Sequence, residues 1–114
     1  MKALRIVVVL HLVAILIQAA LAGQFLSGLD AAVQLHERTG WGLAAIGLAQ
    51  VLLTVVQRLP PGSALVLILS SAAIFLAEAL QVGTGYLRFL GVHIPLAILI
   101  AGGTAAVAVR VFRS

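Results

Sequence analysis

Residues 64–82, ALVLILSSAAIFLAEALQV, decide the fold. A bilayer core of about 30 Å asks about 20 mostly apolar residues of a helix, and this stretch supplies them. Glu78 is its only ionisable side chain. Three more stretches read the same way, so the expected spans are roughly 6–22, 39–56, 64–82 and 92–109. Lipid offers no partner to the amides of an open sheet edge, which leaves helices. The expectation is an all-α integral membrane protein, an up-down four-helix bundle in which residues 1–114 form a single four-span transmembrane domain.

Composition agrees with that reading. Of the 114 residues, 63% are apolar and 9% charged, with a mean hydropathy of +1.24. A soluble domain carries about 25% charged residues, so there is too little polar surface here to cover a globule in water. Eleven glycines suit close contacts between helices in a bilayer. The absence of cysteine removes disulfides, Cys-ligated zinc, iron–sulfur clusters and thioether-attached haem. The net charge of +4 comes from basic residues set singly between apolar runs, with no basic stripe for nucleic acid. No nucleotide-binding loop or hydrolase signature is present, and no residue is assigned a catalytic role.

Turn chemistry marks the connections. Arg58-Leu59-Pro60-Pro61-Gly62-Ser63 is read as a tight break in which the prolines stop helix two and Ser63 caps helix three. Gly83-Thr84-Gly85-Tyr86 is read as a second break. Asp30 is the expected N-cap of helix two, which then begins near Ala31 and projects beyond the bilayer. Lys2, Arg5, Arg58, Arg110 and Arg113 fall on one face, against Arg38 and Arg88 on the other. The positive-inside rule places the chain in the cell membrane with both termini cytoplasmic. Lys2, Arg5, an apolar run and Ala20-Leu21-Ala22 also satisfy a cleavable secretory signal. A retained first helix is the preferred expectation, because three spans alone make a poorer bundle.

An ionisable side chain at the centre of a membrane helix costs at least about 2.5–3.5 kcal/mol, so each one needs a reason. The polar residues are His11, His36, Glu78 and His93, with Gln18, Gln24, Gln50 and Gln81 beside them. At 1.5 Å per residue, His36, counted from Arg58, and His93, counted from Arg110, stand about 33 and about 26 Å above the cytoplasmic ends. Helices two and four occupy diagonal corners of an up-down bundle. Two imidazoles at matched depth across that diagonal fit the axial positions of one haem iron, which makes His36 and His93 the candidate metal ligands. Taken singly, each is better read as an interfacial imidazole bonded to water or a neighbouring helix.

Gly40, Gly42, Gly83, Gly85 and Gly91 cluster near the same level, where they thin the side-chain layer for a macrocycle or simply pack helices closely. Arg38 and Arg88 are the outer cations expected to pair with haem propionates, the alternative being lipid phosphate. His11 has no second histidine at its level and is expected to be a neutral imidazole bonded across helices. Glu78 is placed about five residues below the outer break, apart from His11, which lies about one and a half turns past Arg5 on the cytoplasmic side. An unpaired carboxylate there is largely protonated, and a hydrogen-bonded acid is preferred to one that moves protons with haem redox.

Leu35-His36-Glu37-Arg38, Leu80-Gln81-Val82-Gly83 and Val92-His93-Ile94-Pro95-Leu96-Ala97 resemble one four-helix half of the haem A synthase family. The chain also resembles a family of short four-helix membrane proteins that share Gln24-Phe25-Leu26 and the two histidines. The first resemblance implies that His36 and His93 are axial haem ligands and implies nothing for His11 or Glu78. Haem A synthase fuses two such halves and carries a catalytic acid in an outer loop, to which neither Glu37 nor Asp30 can be matched. A homodimer would restore the two-half architecture.

The function expected is therefore that of a b-type cytochrome: one non-covalent haem b near the outer face, held by His36 and His93, with Arg38 and Arg88 also binding the cofactor. Such a protein is an electron carrier more than a catalyst, working in the lipid bilayer with a quinol or membrane redox partner and not with nucleic acid. Two alternatives stay open, a small proton-coupled transporter using Glu78 and a ligand-free structural or assembly subunit.

Overall fold

Four apolar runs form four long helices because every buried amide in lipid must be bonded within its own segment. The computed structural model describes residues 1–114, with α1 spanning Lys2–Leu26, α2 Ala31–Val56, α3 Pro61–Tyr86 and α4 Leu90–Arg113. All four are long and apolar enough to cross a membrane. Each packs against its chain neighbours and α1 also meets α4, which closes an antiparallel ring with α2 and α4 on one diagonal and α1 and α3 on the other. The bundle is 48 Å long, a match to the about 40–45 Å of a bilayer with its headgroups.

α1, α3 and α4 run past the expected spans at both ends and α2 at its start, because residues beyond the hydrocarbon continue the turn. Helix two does begin at Ala31 after Asp30, but Asp30 itself has helical torsions and its side chain makes no capping bond. Ser63 does not cap α3 either. Pro61 opens that helix, its missing N–H costing nothing in the first turn, and Ser63 Oγ lies 3.3 Å from Ser114 Oγ. Nor do residues 83–86 break the chain: α3 continues through both glycines to Tyr86 and the turn falls at Leu87–Phe89. Packing against neighbours overrides the weak helix propensity of glycine.

The two turns at the far end from the chain termini share one geometry. After α1, Gly28 takes φ 99° while Leu29 N–H donates to Gln24 O at 3.0 Å. After α3, Arg88 takes φ 52° while Phe89 N–H donates to Thr84 O at 2.9 Å. A left-handed residue closes a helix this way, and glycine does so without the penalty of about 1–2 kcal/mol that an L side chain carries.

The apolar core sits towards the terminal end. Leu4, Val8, Leu67, Ile74, Ile100, Val107, Ala108 and Val111 form one buried cluster. Towards the far end the fully buried residues are Thr84 and Ala32, with Val33, Leu43, Val82 and Val92 partly buried. That half holds the candidate site.

Candidate functional site

His36, in the second turn of α2, and His93, in the first turn of α4, lie on opposite corners of the bundle and meet across it. Their ring centroids are 6.2 Å apart and the ring planes make an angle of 67°. Both side chains are half-buried. The matched depth expected from residue counting is thus realised as a direct approach.

Each ring is fixed from behind. His36 Nδ1 donates to the backbone carbonyl of Gln18 on α1 at 3.0 Å. His93 Nδ1 donates to the backbone carbonyl of Gln81 on α3 at 2.9 Å, with Thr84 Oγ1 at 3.2 Å. A carbonyl can only accept, so Nδ1 carries the proton in both rings and Nε2 keeps its lone pair. Neither Nε2 makes a hydrogen bond within the protein. Metal-binding histidines are oriented by such a bond from the other ring nitrogen.

The anchors themselves are held. Gln18 Nε2 donates to the His36 carbonyl at 3.0 Å and also bonds Thr39 Oγ1. Thr84 Oγ1 donates to Gln81 O at 3.1 Å. Each helical hairpin therefore repeats one device, a glutamine carbonyl on its first helix gripping a histidine on its second. Pro95 lies two residues beyond His93 inside α4 and cannot donate to the Gly91 carbonyl.

The glycines divide by role. A Cβ on Gly85 would stand 2.9 Å from His93 Cε1, so glycine is what lets that ring lie against α3. A Cβ on Gly40 would touch the Gln18 amide at 3.7 Å. Gly42 and Gly83 face open space, and Gly91 would touch only Phe89. The expected glycine cluster is thus one close approach and one ordinary contact.

Arg38 and Arg88 are exposed at the far end, and neither is ion-paired within the protein, whose one salt bridge joins His11 to Glu78. An outer rim that residue counting missed lies beside them. Trp41 Nε1–H donates to Tyr86 OH at 3.0 Å, and Tyr86 O–H donates to Glu37 Oε1 at 2.7 Å. Trp and Tyr at one membrane level are the usual interfacial belt.

Glu78 is not unpaired. Its Oε1 bonds His11 Nε2 across the α1–α3 diagonal, which corrects the separate depths expected for these two residues. The break counted from Gly83 lies instead beyond Tyr86, and the helix offsets bring α1 and α3 into register at this level. His11 is bonded across helices as expected, to Gln50 as well as to Glu78.

Three or more His, Cys, Asp or Glu side chains gather nowhere in the chain. A metal held by protein side chains alone usually needs three or four ligands. Two imidazole nitrogens without a hydrogen bond, on rings 6.2 Å apart, can hold only a metal that brings most of its own ligands. Compared with family models, curated proteins and solved structures, the chain matches none of them.

Proposed function

We propose that the chain is a b-type haem protein of the membrane, in which His36 and His93 hold one non-covalent haem near the far end of the bundle and the protein carries electrons. The observation that carries this reading is the pair of imidazoles with Nδ1 tied to backbone carbonyls and Nε2 free. Two metal–nitrogen bonds of about 2.0–2.1 Å each, with the ring radii added, separate axial imidazole centroids by about 6 Å; the observed separation is 6.2 Å. Partly buried apolar side chains at this level, Val33, Val82 and Val92 among them, suit an apolar macrocycle.

Haem, when bound, supplies a one-electron iron couple, and two axial imidazoles leave no open position for oxygen, which suits electron transfer. The protein's part is to hold the rings. Gln18 and Gln81 carbonyls keep Nε2 basic and aimed inward. Gly85 gives His93 its position against α3. Arg38 and Arg88 are the cations that propionates would pair with. The apolar surface of the helices keeps water from the centre.

Five cations at the terminal end against two at the far end support a reading with both termini in the cytoplasm and the haem site towards the outer face. A lipid-soluble quinol or a second membrane protein is the electron source in this reading. A homodimer pairs two such sites. The ligand-free subunit leaves two imidazole Nε2 atoms without a use.

The test is a spectral titration of the detergent-purified protein with haem. One equivalent is expected to give a sharp Soret band and, on reduction with dithionite, the split visible bands of six-coordinate low-spin iron. A spectrum unchanged from free haem in detergent would remove the proposal.

A further inference from the structure

Midway through the bundle lies a polar cluster that the histidine pair does not use. His11 on α1 is 0% exposed and Glu78 on α3 is 2% exposed. Gln50 on α2 donates from Nε2 to Ser71 Oγ at 3.1 Å, which turns its Oε1 towards His11 to accept from Nδ1–H at 2.9 Å. With Nδ1 protonated, the contact between His11 Nε2 and Glu78 Oε1 requires one proton between them, since two lone pairs would repel. The pair as a whole is then neutral, whichever atom carries that proton.

Glu78 Oε2 has no partner although it is buried. It lies against Gly47, where a Cβ would already stand 2.9 Å from the Glu78 carboxyl carbon. One turn further along α3, on the same face, Gln81 Oε1 is likewise buried without a partner. The backbone carbonyl of that same Gln81 holds His93. A buried polar oxygen left bare is costly, so a vacant acceptor in the membrane interior points to something that occupies it part of the time.

We propose that Glu78 and His11 form a membrane-buried proton-binding site, its vacant position Glu78 Oε2, which gains one proton when an electron reaches the haem held by His36 and His93. The coupling rests on the haem proposed above; the proton site stands without it. His11 is the only titratable group that faces Glu78. From α2 it meets Gln50 and Gly47, and α4 carries no ionisable residue between His93 and Arg110. In an apolar interior a unit of added negative charge attracts a proton far more strongly than in water. A one-electron reductant would supply the electron, and a hydronium ion of the bathing water would lose the proton, its O–H bond breaking as one forms at Glu78 Oε2, so the added charges cancel.

Infrared spectra of the haem-free protein in lipid nanodiscs test the site, read as wild type minus Glu78→Gln. Glutamine keeps a hydrogen-bonding group on His11. The expected difference contains a carboxylic-acid C=O band that grows as pH falls and moves in D2O. Gly47→Ala, which crowds the carboxyl group, is expected to shift that band without removing it and serves if Glu78→Gln does not fold. A difference without such a band, or with one indifferent to pH, overturns the proton site. In the haem-loaded protein the midpoint potential is expected to fall as pH rises, with at least half of that slope lost in Glu78→Gln. Equal slopes overturn the coupling alone. A chain that takes up no haem overturns the coupling together with the proposed function, and the infrared result then decides the proton site by itself.

Discussion

His93→Ala and His36→Ala are each expected to convert the six-coordinate low-spin spectrum of the proposed haem complex to a five-coordinate one, and the double variant is expected to retain no haem through a desalting column. Each ring has a single Nε2 without a hydrogen bond, so removing one would leave iron with one axial ligand, and removing both would leave apolar contact and the exposed Arg38 and Arg88. Loss of a supporting partner behind a metal ligand costs about 10–100-fold in affinity, and loss of the ligand itself exceeds that. Free imidazole added to either single variant is expected to restore the low-spin bands, because the missing ring leaves a hole of its own shape. Gly85→Ala gives a milder result, within the about 10–100-fold range of a displaced support: its methyl would stand 2.9 Å from His93 Cε1 and push the ring off its anchor. Affinity measured by haem titration across the four proteins checks this order.

Gly47→Val is the substitution expected to hurt the fold most. A Cβ alone at position 47 would lie 2.9 Å from Glu78 Cδ and 3.3 Å from Glu78 Oε1, and the branched side chain adds two carbons more. Either α2 moves away from α3 or Glu78 swings out and loses His11. Overpacking of this kind costs about 1–3 kcal/mol. The polar bond by itself is worth less, since hydrogen bonds between membrane helices average about 0.6 kcal/mol. The steric term therefore dominates, and Gly47→Val is expected to destabilise more than His11→Ala, which removes a polar bond without adding bulk. Gly42→Ala, which meets nothing within 4 Å, is the control and is expected to stay within about 0.5 kcal/mol of wild type. Unfolding in mixed detergent micelles, followed by helicity, measures all three.

Span number, helical class and the face shared by His36 and His93 were legible because the bilayer allows few solutions to a chain this apolar. Helix ends were less so. The glycines at 83 and 85 read as a break, yet packing carries α3 through them, and the true turn uses Arg88 at positive φ, a conformation no local pattern announces. Heights counted along single helices paired His36 with His93 but separated His11 from Glu78, because the axial offset between α1 and α3 is set by packing of all four helices. The glutamines were visible as polar residues in apolar spans, but their use is by backbone carbonyl at Gln18 and Gln81 and by side chain at Gln50. Sequence carries no signal that distinguishes those two uses. Gly47 and Gly85, the two close approaches, look like any other glycine until the neighbouring side chains are in place.

Electron paramagnetic resonance of the ferric, haem-loaded protein addresses the central claim most directly. Two axial imidazoles whose planes lie far from parallel, as the 67° between His36 and His93 requires, predict a strongly anisotropic low-spin signal that disappears when both histidines are replaced by alanine. A high-spin signal in the wild type, or a low-spin signal that outlives both replacements, would contradict the account.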